Sequence, residues 1–260
     1  IIAFRRRPLY DPVSIEADNL ERYRAQIEPI RRYVTLGLAF VLFYFAGSDG
    51  SQLWVTWLLF RISSPFVIKD PQFGLDLSFF TFRLPFWQAL LEWGISTLIL
   101  SLIAATIVHY LYGGIRLQVS EDRTTVAARV QLSVLLGVIV LIKGGAYWLD
   151  RYHLALTEGK LITGLTYTDV NAVLPAKAIL AGIAVICSLL FFANVIRRSW
   201  VLPSAGIALL VVSSVLIAGV YPGVIQQFQV KPSESTKEAP YIQRNIDATR
   251  VAYGIDDVKV

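Results

Sequence analysis

The 260 residues are 55% hydrophobic and only 17% charged, with a mean hydropathy of +0.56, which excludes an ordinary soluble domain with a solvated surface. The net charge of +5 could suggest a nucleic-acid partner, but the basic residues are mostly arginines beside apolar runs, as in membrane proteins. The composition therefore predicts an all-α, polytopic membrane protein that binds no nucleic acid.

The first 32 residues are basic and precede the first apolar run. They begin IIAFRRRP, which we interpret as the cytoplasmic end of an earlier, truncated span, and a short helix capped by Ser14 follows. A basic helix of this kind is expected to lie on the cytoplasmic leaflet and to bind anionic lipids, with a plain solvated helix as the alternative. Contacts to lipid headgroups are predicted for Arg22, Arg24, Arg31 and Arg32.

Five apolar runs are long enough to cross the hydrocarbon core, which needs about 17 to 25 helical residues. The run at 51–68 is too short to cross comfortably, and its tryptophans suit a membrane interface, so we interpret it as an in-plane or re-entrant helix. The predicted transmembrane bundle is placed at 33–220. Its spans are Ile30–Gly47, Leu84–Tyr112, Val130–Leu149, Pro175–Ile196 and Val201–Val220.

The arginines predict how these spans are oriented. Five crossings place the basic groups at 5–7, 22–32, 116–129 and 197–198 on one side, whereas a sixth crossing at 51–68 would split them. The positive-inside rule makes that side the cytoplasm. The link at 150–174 and the C-terminus are therefore expected to be extracytoplasmic.

Two segments on the predicted outer side have distinct expectations. The link at 150–174 contains apolar groups such as Tyr152 and Leu165 that a free loop does not need, so it should be ordered and pack on DPQFGLDL at 70–77. The polar residues 221–260 predict a linker, a helix from Pro240 to Tyr253 closed by Gly254, and the start of a soluble domain.

A candidate ion pair lies inside the predicted bundle. Glu92 comes seven positions after Pro85 and Lys143 seven before Asp150, so both lie about 10 Å below the outer boundary at about 1.5 Å per residue. An unpaired charge at that depth costs about 2.5 to 3.5 kcal/mol, which favours pairing, with Tyr147 as a further donor to the carboxylate. The alternative is that each side chain snorkels separately to the interface.

Chemical motifs are scarce. Phosphate-binding glycine loops, HExxH, paired CxxC and GxSxG are absent, and Cys187 is the one cysteine, so no metal, cofactor or catalytic residue is predicted. Outer-face acidic groups could hold a cation or act as a base on a lipid-linked substrate, or they could simply cap turns. Lys177, in the first turn of a helix, needs an anion such as Asp169 or a lipid phosphate. The candidate polar cluster is Asp70, Asp76, Asp150, Asp169 and Lys177.

Five segments occur in the order found in a known family: KDPQFGLDLSFFTFRLPF, HYLYGGIRL, KGGAYWLDRY, YTDVNAVLPAK and VKPSESTKEAPYIQRNIDATRVAYG. They closely resemble uncharacterised protein family 0182, which comprises multi-pass bacterial membrane proteins. The resemblance implies a bacterial cell membrane location and a block of membrane helices followed by a large extracytoplasmic region, of which this chain would hold the later helices. It implies no established biochemical function.

Two classes of function follow from these observations. The first is an integral membrane platform without evident catalysis, which anchors an extracytoplasmic domain and associates with other membrane or envelope proteins. The alternative is a transporter or lipid-handling enzyme with a site on the outer face, built from Asp70, Asp76, Asp169 and Lys177. The sequence leaves open whether the protein is an enzyme.

Overall fold

A computed structural model describes residues 29–51, 53–115, 124–159, 163–197 and 201–255. Within these ranges the regular structure is helical, and the only β pairing consists of isolated bridges such as Lys69 with Asp76. Four continuous helical runs are long and apolar enough to cross a membrane. The predicted all-α membrane fold is confirmed, and the four runs are Phe79–Leu111, Val126–Leu156, Asp169–Arg197 and Val201–Tyr253.

The described α-helices are numbered here in chain order. Turns of π-helix precede α3 and α5, and π-helical and 3₁₀ turns join the last three helices into one continuous run. The bounds are α1 Arg31–Gly50, α2 Leu53–Ile62, α3 Leu84–Leu111, α4 Val126–His153, α5 Leu174–Arg197, α6 Val201–Ser213, α7 Tyr221–Val224 and α8 Glu234–Tyr253.

The first two helices form a bent pair with a short break between them. Taken together they are apolar enough to count as a fifth crossing, either as a broken span or as a re-entrant loop. Trp54 and Trp57 of α2 are exposed, as expected for side chains facing lipid or an interface. A separate short helix after the first apolar run agrees with the prediction from sequence.

The chain divides into two compact units, and α3, α4, α5 and α6 contribute residues to both. One unit contains Ile1–Leu53, Glu92–Ile142 and Ile186–Gly206, and the other contains Trp54–Leu91, Lys143–Val185 and Ile207–Val260. We call them the first unit and the second unit and describe each by itself.

In the first unit, α4 and α5 are joined by polar groups that lie between buried apolar side chains. The Ser188 hydroxyl donates to the Gly137 carbonyl at 2.8 Å, and the Asn194 amide donates to the Ser133 hydroxyl at 2.8 Å. Ser188 and Asn194 are 1% and 2% exposed, so these bonds satisfy the buried Ser188 hydroxyl and the buried Asn194 amide N–H. A further hydrogen bond, from the Trp93 indole to the Ala46 carbonyl at 2.7 Å, ties α3 to α1.

In the second unit, α4 and α5 approach closely at a glycine. A Cβ placed on Gly144 would lie 3.2 Å from the Ala184 Cβ and 3.3 Å from the Ala181 carbonyl oxygen. Ala184 is fully buried, which agrees with the close packing that small residues permit between membrane helices. A Cβ placed on Gly182 of α5 would meet no atom of another element within 4 Å, so the lack of a side chain there serves no close contact.

Two of the long helices begin in the same unusual way. Each starts with a π-helical turn that ends at a Leu-Pro pair, where the Leu84 N–H donates to the Phe79 carbonyl and the Leu174 N–H donates to the Asp169 carbonyl. Proline has no N–H and its ring crowds the carbonyl four residues earlier, and a widened turn relieves that crowding. The helices therefore begin before Pro85 and Pro175, earlier than the sequence predicted.

The last helix differs most from the prediction. The expected non-helical linker after Tyr221 is wrong, because helical turns continue through residues 221–233 into α8. The sequence correctly predicted the end of α8, where Gly254 adopts φ 62° and donates its N–H to the Arg250 and Val251 carbonyls. The polar residues show where the apolar part of the run ends, while the helical structure continues beyond that point.

We predict that replacing Gly144 with leucine destabilises the fold, because the new side chain must displace the Ala181 backbone as well as Ala184. Overpacking of this kind costs about 1 to 3 kcal/mol. Thermal unfolding in detergent should show a clearly lowered Tm. Gly182→Leu is the matched control with open space around it, and an equal loss in both variants would contradict close packing at Gly144.

Candidate functional site

The carboxylates of the DPQFGLDL segment organise its own backbone. Asp76 accepts hydrogen bonds from the N–H groups of Phe66 at 3.0 Å, Val67 at 2.8 Å and Ser78 at 2.8 Å. Asp70 accepts from the N–H groups of Gln72 at 2.9 Å and Phe73 at 2.6 Å. Both side chains thus perform the turn-forming and capping roles that the sequence analysis offered as the alternative to chemistry.

Asp76 is stabilised in its charged form. Hydrogen bonds from the Ser78 side chain and then from the Ser78 and Phe66 N–H groups lower its pKa to about 2. Val67, one of its donors, has a φ of 66°, a left-handed conformation that is unfavourable for a β-branched residue. The Asp76 carboxylate therefore holds a strained loop backbone in place.

The link between α4 and α5 packs on this segment, as the sequence predicted. The Tyr152 ring at the end of α4 lies 5.0 Å from the Phe73 ring and 5.3 Å from the Phe79 ring, measured between centroids. The Glu158–Thr163 bridge and the bond from the Gly164 N–H to the Thr157 carbonyl at 2.8 Å join the two described parts of the link. Residues 160–162, including Lys160, lie outside the described ranges.

Lys177 finds its anion on α4. Its ammonium lies 3.1 Å from the Asp150 carboxylate, whereas Asp169 accepts from the Thr166 N–H at 2.9 Å and the Thr166 hydroxyl at 2.7 Å. Of the two anions that the sequence analysis offered for Lys177, Asp169 is engaged by its own turn, and the lipid phosphate stays a prediction. The Asp150–Lys177 pair is only partly buried, so solvent weakens its contribution.

The most extensive polar contacts join the link and the DPQFGLDL segment to the last helical run, and we call them the loop–helix clamp. Four pairs form it: Tyr167 with Glu238, Thr168 with Gln226, Thr163 with Asn245, and Gln72 with Arg244. The Asn245 amide donates to the Thr163 carbonyl at 2.8 Å, and the Arg244 guanidinium donates to the Gln72 side-chain oxygen at 3.0 Å. The Thr168 hydroxyl donates to the Gln226 side-chain oxygen.

Glu238 is the central residue of the clamp. It is only 6% exposed, and its two carboxylate oxygens lie 3.2 and 3.1 Å from the Tyr167 backbone nitrogen. The neighbouring Lys237 ammonium lies 4.7 Å from the Tyr167 ring centroid, close enough for a cation–π interaction. The sequence analysis missed Glu238, because it lies 71 positions from its partner and within a segment interpreted as a linker.

The clamp requires a bend in the last helical run. In a straight helix, positions 226 and 238 would be about 18 Å apart at about 1.5 Å per residue, yet both contact neighbouring residues of the link. The run therefore bends between them, at the 3₁₀ turn Lys231–Ser233, where Pro232 interrupts the hydrogen bonding and Ser233 has φ −139°. Val230, beside this turn, is fully buried.

A cavity of about 180 Å³ lies against the clamp. Asp70 and Gln72 line it from the DPQFGLDL segment, Thr163 and Gly164 from the link, and Arg244 from α8. Polar and apolar groups both line this cavity, and it is open to solvent. Within the described ranges, no group of three His, Cys, Asp or Glu side chains is arranged to hold a metal ion.

The remaining predicted residues are placed as follows. Glu92 and Lys143 have exposed side chains, and the Lys143 ammonium lies 5.0 Å from the centroid of the Tyr147 ring on its own helix. Their ion pair would join the two units and stays a prediction. Arg32 is exposed at the start of α1, while Arg22, Arg24 and the Arg31 side chain lie outside what the structure describes.

The whole chain matches one family of known proteins. The profile of the family described as "Uncharacterised protein family (UPF0182)" matches residues 1–260. A UPF0182 protein of Nocardioides sp. is 52% identical over 259 residues, and the UPF0182 proteins of Streptomyces coelicolor and Thermobifida fusca are 49% and 47% identical over 264 and 258 residues. At least 99% of this chain is covered in each case, but it spans only about a quarter of each relative, 26%, 26% and 25%. No solved structure matches the chain.

We predict that replacing Glu238 with alanine releases the link from α8. The Tyr167 N–H would lose a charged acceptor, a type of bond worth about 1.5 to 3 kcal/mol. Hydrogen exchange of residues 163–168 should become faster, while exchange within α4 and α5 should not change. Glu234→Ala removes an exposed glutamate one turn earlier and serves as the control. Unchanged protection of the link in Glu238→Ala would contradict the clamp.

The low pKa of Asp76 predicts how the order of its loop depends on pH. The folded-state pKa of about 2 lies below the usual value of 3.8, so the stabilisation is complete above about pH 4 and is lost as pH falls through about 2. Protection factors of the Phe66, Val67 and Ser78 amides should therefore persist to about pH 3 and then decline. In Asp76→Asn, the protection factors of the Phe66 and Val67 amides should be low at every pH. Loss of protection in the wild type already near pH 5 would refute the low pKa assigned to Asp76.

Proposed function

The chain belongs to the uncharacterised protein family UPF0182, and we propose that it is an integral membrane platform that anchors an extracytoplasmic region and binds other membrane or envelope proteins. The location we propose is the bacterial cell membrane, crossed several times, with the C-terminal side of the chain extracytoplasmic. No catalysis is part of this proposal.

The observation that carries the proposal is the way the last helical run is held. Its part from Gln226 onward is mostly polar and extends beyond the apolar stretch, since a crossing needs only about 20 residues of the 53 in Val201–Tyr253. The loop–helix clamp then fixes this polar part to the link and to the DPQFGLDL segment. A free tether to a separate domain would not need these bonds, so the arrangement supports a rigid attachment of the last helical run.

The charge distribution supports the proposed orientation. Arg32 at the start of α1 and Arg197 at the end of α5 belong to the arginine-rich groups assigned to the cytoplasm. The acidic DPQFGLDL segment lies before α3 and the link lies after α4, at the helix ends opposite to the arginine-rich groups. On this assignment the clamp and the polar part of the last run are extracytoplasmic.

The side chains available to a partner also support a platform. Ile246, Val251 and Tyr253 of α8 are 41%, 55% and 78% exposed, although they follow the polar exit from the span. Large apolar side chains on a polar helix are typical of interaction surfaces.

The transporter or lipid-enzyme alternative receives less support from the candidate cluster. Asp70, Asp76 and Asp169 are each engaged by nearby backbone N–H groups, and Lys177 is paired with Asp150. The solvent-open cavity at the clamp is the observation that favours a small-molecule site. We favour the platform because the carboxylates have structural partners and the exit helix is fixed.

The test uses the full-length protein purified from its own membranes in a mild detergent, after cross-linking in cells. We expect a reproducible set of membrane or envelope proteins with cross-links near Ile246 and Tyr253. Ile246→Arg should remove those cross-links, and Gln243→Arg, an exposed control on the same helix, should retain them. A protein that is recovered alone and turns over a small molecule or lipid would contradict the platform.

A further inference from the structure

The first unit contains a cavity of about 230 Å³ between α1, α3 and α4, independent of the clamp and of the proposed function. Its wall on α3 is formed by residues 101, 104, 105 and 108, which share one helical face. Alanines at 104 and 105 leave the space that larger side chains would fill. The apolar lining residues are Val34, Leu38, Leu42, Ala104, Ala105 and Val108.

The cavity is polar at one end. The His109 Nε2 lies 3.1 Å from the Gln131 side-chain oxygen, and His109 is only 2% exposed. Both side chains line the cavity, together with Thr35. A hydrogen-bonding pair at the end of an apolar cavity is the arrangement that orients an amphipathic molecule.

The polar end lies near the helix ends, and the apolar part lies deeper. His109 is two residues from the end of α3 and Gln131 five from the start of α4, so they lie about 3 and 8 Å from those ends. Leu42 and Ser101 lie about 15 to 17 Å from the corresponding ends of α1 and α3. The cavity thus runs from the boundary of the span toward its middle, as a lipid chain does.

The volume is large enough for part of a hydrocarbon chain. An apolar protein cavity of about 150 Å³ holds a benzene molecule, and the present one is larger. Where such a cavity opens to the hydrocarbon core, lipid acyl chains can enter it and water is scarce. Occupation by a chain would restore the packing contacts that the two alanines leave unmade.

We propose that this cavity binds one hydrocarbon chain of a lipid, with an oxygen at the end of that chain hydrogen-bonded to the His109–Gln131 pair. An alcohol, carboxyl or ester oxygen meets this requirement. Such an oxygen can accept from an imidazole or amide N–H, and the hydrocarbon follows Val108, Ala105 and Ala104 toward Leu42.

The experiment places the full-length protein in phosphatidylcholine nanodiscs and adds palmitic acid carrying a mid-chain diazirine. After irradiation, we expect saturable labelling in peptides containing residues 34–42 and 101–108, and excess unlabelled palmitic acid should suppress it. Unsaturable labelling spread over all the lipid-exposed helix faces would overturn the proposal.

Two matched variants test the apolar part. Ala105→Leu fills the cavity and should lower saturable labelling by about tenfold, the scale of a steric mismatch in an apolar pocket. Ala208→Leu makes the same substitution at an exposed position of α6 and should leave labelling unchanged. A folded Ala105→Leu protein that is labelled like wild type would overturn the proposal.

A third variant tests the polar end of the cavity. It adds little volume, so the fold does not have to accommodate a larger side chain. Gln131→Leu should weaken competition by palmitic acid about fivefold, the size of one neutral hydrogen bond, and undiminished competition would refute the polar contact.

A second competitor shows which lipid supplies the hydrocarbon chain. Suppression by palmitic acid alone identifies a free single-chain lipid, and equal suppression by phosphatidylglycerol identifies the tail of a bilayer lipid.

Discussion

The bond between the Glu238 carboxylate and the Tyr167 N–H is the interaction on which the second unit depends. A buried carboxylate needs hydrogen-bond donors, and the Tyr167 N–H supplies one to Glu238, which is 6% exposed. The ordered link, the bend at Lys231–Ser233 and the cavity beside Arg244 all lie around this contact. Without this bond, fewer contacts would hold the polar part of the last helical run in place.

The same demand for satisfied backbone groups explains the helix starts. Thr81 and Asn171, each within a π-helical turn, donate from their side chains to the carbonyls of Leu77 and Tyr167, four residues earlier. The two starts thus share the π turn, the following Leu-Pro pair and an equivalent side-chain bond. Apart from the Leu-Pro pair, this likeness lies in hydrogen bonding and is not evident when the letters FFTFRLP and DVNAVLP are compared.

Sequence reasoning predicted what apolar length and turn chemistry determine. The long helices, the Gly254 cap and the packing of Tyr152 on the DPQFGLDL segment follow from local patterns. It failed at Glu238 and at the partner of Lys177, because both depend on residues far apart in the chain that approach only after the helices pack. It also failed at 221–239, where polar composition was taken as loss of helix although the clamp stabilises helical turns there.

The bend at Lys231–Ser233 has a mechanical consequence. Because Gln226 before it and Glu238 after it contact neighbouring residues of one link, a pull on the distal arm of the bend is resisted by the Glu238–Tyr167, Arg244–Gln72 and Asn245–Thr163 contacts. These contacts pass the load into the link and the DPQFGLDL segment, and from the link into the ends of α4 and α5, before it reaches the apolar part of α6. A tensile force on the distal arm would therefore be shared by three helices.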